Sequence, residues 1–456
     1  MMSPTMSAPV GRRLALFATL AGCAIVAGVV MTRPRSAAAR ELLIPVTAGP
    51  SLLPAAVVAQ RGWTEAERRR ADVALYERRV SEDPRSASDW SMLAAHQLQA
   101  ARDAQDAALY RAAEQAARRS IALRTSRNAK TMMLLSSALL AQHRFPEALA
   151  WADSMVAGDS SVVSFRALRF ELQVEMGHYA AAETTMRTLL LDRQHPAVAP
   201  RLARWFELRG QPDSARRLLL AAREVADSAI AMPSEQRAWF HLRVADFALR
   251  HGALGLAEEA LRRGRAVAPQ DLRLRQAAVR WHGLRGDVAA TRALADSIGE
   301  QLDIATSSFM AAFSRAHDDP VSADRWVARV EALNRESPEP FARGWTMTRL
   351  EARVDPVETR ALLEREARVR TDVYGWDQLA LARLATGDAA GAAEASSRAL
   401  ALGTRDGNLY WHAAQVAATH GDTTQAVRLA RTALEINPLF HVADAAAARA
   451  FVRAAR

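Results

Sequence analysis

From about residue 61 onward, the apolar positions fall at helical spacing, with short Gly, Asp and Pro punctuation and no sustained alternation of the kind a strand needs. One phrase then recurs. A long residue precedes Gly or a substitute; a polar and an apolar residue follow, with Ala five positions after the Gly. It reads His143-Arg144-Phe145 with Ala148, Gly177-His178-Tyr179 with Ala182, Gly210-Gln211-Pro212 with Ala215, and Gly252-Ala253-Leu254 with Ala257. It returns as Gly286-Asp287-Val288 with Thr291 in the Ala slot, Gly387-Asp388-Ala389 with Ala392, and Gly421-Asp422-Thr423 with Ala426. Steps of 34, 33, 34 and 34 residues separate neighbours, and the 42-residue step from Gly210 to Gly252 predicts an insertion around Asp227 to Gln236. A fixed period of this length is the mark of a repeat architecture, so 456 residues predict one array of about ten units rather than about three ordinary domains. Each part of the phrase has a physical role. Gly permits the left-handed conformation that ends one helix, Ala lets the next helix pack closely, and a proline after the second helix stops it.

These residues resemble the tetratricopeptide repeat, a helix–turn–helix unit of about 34 residues. The closest match is Trp376, Leu379, Ala380, Gly387, Ala392 and Ala399; the following unit supplies Tyr410, Ala414, Gly421, Ala426, Ala433 and Pro438, and Pro269 fills the proline slot of an earlier one. The likeness covers about residues 85–438 and is weakest over 300–371, where Ala323 and the Asp355-Pro356 turn suggest two degenerate units. It is a likeness to the bacterial membrane-anchored or exported type. It implies an all-α fold: a right-handed superhelical solenoid of stacked helix pairs with a concave groove. Residues 61–130 are expected to form N-terminal helices including a first irregular repeat around Trp90 and Ala113, residues 131–438 the array, and residues 439–456 a capping helix.

The resemblance also implies where a partner would bind. In its register the inward-facing positions are Glu171, Arg204, Trp239, Asp246, Arg250, Arg280, Tyr374, Asp377, Asn408, Trp411 and Gln415, with Lys130, Glu207 and Gln276 on the same face. Mixed charge with aromatics departs from the Lys/Asn clamp by which some members hold a terminal carboxylate, and suits a folded or extended protein segment. The implied role is a non-catalytic scaffold or adaptor for protein or peptide partners. A docking subunit of an envelope enzyme complex and a nucleic-acid-linked regulator stand as alternatives.

The first 40 residues are built differently. Arg12 and Arg13 precede an uncharged apolar run from Leu14 to Met31, 18 residues, at the lower edge of what spans a bilayer core as a helix. The run reads as a membrane anchor or an export signal. Leu20-Ala21-Gly22-Cys23 resembles a lipobox, which would make Cys23 a lipidated residue, although the chain stays apolar from Ala24 to Met31. Cleavage near Ala37-Ala38-Ala39 is the third outcome. Residues 41–60 carry one charge, Glu41, with Pro45, Pro50 and Pro54, and read as a linker. All of this predicts a cell-envelope protein, membrane-anchored facing the periplasm or exported, with arginines on both sides of the run leaving orientation open.

Composition narrows the chemistry. Cys23 is the only cysteine, which excludes an internal disulfide framework and a cysteine-based zinc site. Lys130 is the only lysine and is followed by Thr131 without the glycines of a phosphate loop. HExxH, GxSxG and EF-hand patterns are absent, so neither enzyme nor cofactor, metal or small-molecule substrate is expected. His317-Asp318-Asp319 and Arg285-Gly286-Asp287 fall at inter-helix turns and read as turn residues. The net charge of +10 raises nucleic acid as a partner, but half of it belongs to the five arginines of residues 1–40. Acidic residues interleave with the arginines elsewhere, so no nucleic acid is expected.

Overall fold

A computed structural model describes residues 63–229, 232–338 and 340–455. All regular structure among them is helical, in 22 α-helices. The helix α1 (Glu65–Glu82) leads. Ten antiparallel pairs follow, beginning with α2 (Ala87–Ala104) and α3 (Ala107–Leu123), α4 (Ala129–Ala141) and α5 (Phe145–Gly158), and α6 (Val163–Glu175) and α7 (Tyr179–Leu189). Next come α8 (Ala199–Leu208) and α9 (Pro212–Ser228), α10 (Ser234–Arg250) and α11 (Leu254–Val267), and α12 (Leu272–Leu284) and α13 (Val288–Ile298). The span read as degenerate holds α14 (Ile304–Ala316) with α15 (Pro320–Glu336), and α16 (Arg343–Ala352) with α17 (Pro356–Glu366). The last pairs are α18 (Val373–Ala385) with α19 (Ala389–Leu400) and α20 (Gly407–Thr419) with α21 (Thr423–Ile436), followed by α22 (Asp444–Ala454). The all-α helical-repeat fold expected from the period is the one found.

Within a pair, the turn follows the chemistry of the phrase. Gly177, Gly210, Gly252, Gly286, Gly387 and Gly421 all take positive φ, between 68° and 88°. Where the glycine is missing, another residue bears the strain: Gln105, His143, Asp318 and Arg353 sit at φ 53–56° in the corresponding turns. The residue after the turn often caps the second helix, as when the Asp422 carboxylate accepts from the Gln425 N–H at 2.8 Å. His317-Asp318-Asp319 and Arg285-Gly286-Asp287 are such turns, with Asp319 accepting from Ser322 N–H and Asp287 from Ala290 N–H, each at 3.1 Å. The small-residue slot does what its size predicts: Ala148, Ala182, Ala215, Ala257, Thr291, Ala323, Ala392 and Ala426 are 0–2% exposed. A larger side chain in that slot would push the helices of a pair apart.

The stack then closes on itself. Units six apart in the chain lie against each other, so the second coil of the superhelix rests on the first along a seam. Helix carbonyls left without intrahelical partners at the ends of α6, α8 and α10 accept from the second coil. Thr371 N–H donates to Met176 O at 3.0 Å, Thr404 Oγ1 to Leu208 O at 2.6 Å, and Asn437 Nδ2 to Arg250 O at 2.9 Å. Each such bond to a buried carbonyl contributes about 1 kcal/mol, and losing one costs more because the carbonyl stays dry. Arg370 reinforces the contact, donating to Glu175 O at 2.7 Å and pairing with the Glu175 carboxylate at 2.6 Å. Its guanidinium lies 4.4 Å from the ring centre of Phe145, which stacks on Phe341 at 5.8 Å. At the other end α1 is tied to the start of α10, where Ser234 Oγ donates to Glu65 at 2.6 Å and Arg69 pairs with Glu235 at 3.1 Å.

Among the described residues, no helix is long and apolar enough to cross a membrane. The apolar run 14–31, Cys23 and the linker 41–60 lie outside the described residues.

Candidate partner-binding inner wall

The first helices of neighbouring pairs touch one another along the stack more closely than the second helices do, so they line the inner side of its curve, and their polar stripe builds the wall. On α10, Trp239, Arg243, Asp246 and Arg250 recur at steps of four, three and four, which places them on one face of the helix. The apolar remainder of α10, including Leu242, Val244, Ala245, Phe247, Ala248 and Leu249, enters the core. α8 contributes Arg204 and Glu207 beside this stripe, and α12 contributes Arg280.

These charges are wired to one another. Arg250 donates to both oxygens of Glu207, at 3.0 and 3.1 Å, with His251 at 3.3 Å and Arg204 at 3.7 Å from the same carboxylate. Burial alone would raise the Glu207 carboxyl, but the surrounding cations outweigh it and hold the group well below the usual carboxylate range. Asp246 accepts from Arg280 at 3.0 Å. Across the seam, Arg204 lies 5.1 Å from the ring centre of Tyr374, whose hydroxyl donates to Asp406 at 3.2 Å. Burial drives the Tyr374 phenol up, so it stays a neutral donor. Side chains of Arg204, Asp246, Arg250 and Arg280 keep 26, 17, 32 and 31% of their surface open. They are fixed by their partners and accessible at once.

The other expected wall residues divide. Glu171 is held by Arg201 at 2.6 Å, joining α6 to α8. Trp239 packs edge-on against Phe240 at 5.0 Å and lines a cavity of about 260 Å³ with Gln99, Tyr110 and Glu235. Burial pushes the Glu235 carboxyl up to about 7. Asp377 is buried and bound to His412 at 2.9 Å. Burial disfavours the imidazolium, but Asp377 overcomes it and carries His412 up to about 9. Asn408 donates its side-chain N–H to Phe440 O at 3.3 Å and so tethers the chain leading to α22. Gln415 lines a cavity of about 580 Å³ with Arg315, Glu351, His412, His441 and Asp444. Trp411 corrects the expectation: it is 7% exposed, its ring against Phe451 at 6.2 Å, because α22 covers the face that the repeat register turns inward.

Reasoning from register missed two groups. Arg243 lies one step off the positions named, yet its spacing from Trp239, Asp246 and Arg250 on the helix was there to read. Glu351 and His441 meet at 3.7 Å only because the cap folds back on α16, which no local pattern announces. Among the described residues, no group of three or more His, Cys, Asp or Glu side chains is arranged to hold a metal ion.

No protein-family model matches the chain, and no curated protein is similar to it. Among solved structures, the chain is similar to one described as "Crystal structure of APC/C hetero-tetramer Cut9-Hcn1". The match covers 85% of this chain and 93% of that one, at 11% identity and a TM-score of 0.34. A score that low carries no argument. What stands is the molecule itself, a series of helix pairs consistent with a tetratricopeptide-type repeat protein.

Proposed function

We propose that the protein is a non-catalytic scaffold that holds a segment of a partner polypeptide against its inner wall, in the cell envelope. The observation that carries this reading is the wall of charged side chains anchored by ion pairs yet between about a sixth and a third open. Pre-fixed polar groups lose little freedom when a ligand meets them, which favours recognition. The envelope location rests on the apolar run Leu14–Met31 behind Arg12 and Arg13.

Photo-crosslinking tests the binding role. A crosslinking residue in place of Asp246 or Gln415 is expected to yield adducts with a defined partner segment, whereas one in place of Arg217, on the outer helix α9, yields none. Equal adducts from inner and outer positions would defeat the proposal. Protease treatment of intact cells tests location: a body cut from outside supports the envelope reading, and a body protected until lysis removes it.

A further inference from the structure

The inner wall of the first coil holds more positive charge than its own carboxylates answer. Four guanidinium groups converge there, from Arg204, Arg243, Arg250 and Arg280, and two carboxylates pair with them; a third, Glu175, acts on Arg204 from farther away but is taken by Arg370. Glu207 is fully engaged by Arg250, His251 and Arg204. Asp246 is taken by Arg280 at 3.0 Å. Among the described residues Arg243 makes no ion pair or hydrogen bond; its guanidinium lies 6.0 Å from the ring centre of Trp239, and Asp246 and Glu207 attract it only from beyond ion-pair distance. Burial and the neighbouring Arg250 both push its ionisation below that of an ordinary arginine. Nearby, the buried Nε of Arg280 also lacks a hydrogen-bond partner among the described residues. Arginine stays charged in proteins, so this excess cannot be relieved by losing a proton. An incoming anion relieves it, and a carboxylate fits the planar fork of guanidinium donors through two parallel bonds.

We infer that the wall formed by α8, α10 and α12 is a carboxylate-binding site, and that the partner segment it takes is acidic. The inference rests on the scaffold reading and gives its ligand a chemistry. Trp239 and Tyr374 flank the cluster, their rings beside the guanidinium groups of Arg243 and Arg204. A nucleic acid fits less well, because Glu207 and Asp246 interrupt the arginines and no continuous basic track runs along the wall.

The test uses the full-length protein and a fluorescent peptide of about twelve residues alternating Glu and Gly, beside its Gln/Gly counterpart. The Glu peptide binds and weakens with added salt, and the Gln peptide does not bind. Arg243→Gln weakens binding about tenfold or more, as losing a charge-assisted contact does. Arg243→Lys keeps the charge and loses less; Arg217→Gln on α9 changes nothing. Melting curves of each variant check the fold, and the Glu-against-Gln comparison decides even if a variant unfolds. Equal binding of the two peptides overturns the inference, as does an unchanged Arg243→Gln. Displacement by inorganic phosphate at constant ionic strength, or preference for duplex DNA, also overturns it. If crosslinks from the inner wall map to a neutral segment, the scaffold reading survives and this inference alone falls.

Discussion

Gly210 and Gly421 occupy the same place in two repeats and obey different constraints. Both end the first helix of a pair at positive φ, 68° and 88°. A Cβ on Gly421 would meet nothing within 4 Å, and the same holds for Gly286 and Gly387. A Cβ on Gly210 would lie 2.3 Å from Gly403 O; on Gly177, 2.4 Å from Asp372 N; on Gly252, 2.4 Å from Asn437 Oδ1. The later glycines serve a turn alone. The earlier ones also let a second coil approach. The following residue differs in step: Asp caps the next helix after Gly286, Gly387 and Gly421, whereas His178, Gln211 and Ala253 give no side-chain cap.

Four measurements sharpen this contrast, and unfolding midpoints in denaturant read the first three. The largest loss is expected for Arg370→Met, about 3–5 kcal/mol, because it strips the cross-seam bonds from the Glu175 carbonyl and carboxylate and takes one of two cations from the buried Asp372, which keeps Arg343. Arg187→Met, which breaks an exposed pair with Glu183, should change stability by less than about 0.5 kcal/mol. If the two variants were equal, the seam would contribute nothing. Next, Gly210→Ala should cost about 3 kcal/mol, joining left-handed strain to a clash with backbone, while Gly421→Ala should cost about 1 kcal/mol from strain alone. Asn437→Ala should cost about 1–3 kcal/mol by leaving the Leu249 and Arg250 carbonyls dry and unpaired.

The last measurement concerns pH and separates the walls of the two coils. His412, on the second coil, titrates near 9 when folded against about 6.5 unfolded. Its pairing with Asp377 therefore stabilises fully below about pH 6.5, and that contribution is lost as pH rises through 9, on the order of 3 kcal/mol. A melting temperature that falls much further between pH 6.5 and 9 in the parent than in His412→Gln is the expected result, Glu235 near 7 giving both the same small fall at the lower end. Glu207 on the first coil, held far down, adds no slope in that range.

The sequence made the helices legible because the repeat phrase is local: the glycine, the small slot and the proline act within one pair. Most of the wall was legible too, since helical register sets which way Arg204, Asp246 and Arg250 point. Register says nothing about what packs there, and Trp411 fell on that side, covered by α22. The seam was harder still, since it joins Gly177 to Asp372 and Gly210 to Gly403 with no matching pattern in the two segments. Its one local trace is the missing Asp after the covered glycines.

The seam also fixes an order of events during synthesis. A solenoid whose units touch only their neighbours can form from one end as it emerges. Here the carbonyls of Met176 and Leu208 wait for Thr371 and Thr404, which follow 195 and 196 residues later. At roughly 5–20 residues per second, that is a delay of about 10–40 s. For that interval the nascent first coil presents an uncapped rim of helix ends, and the chain's own second half is what finally seals it.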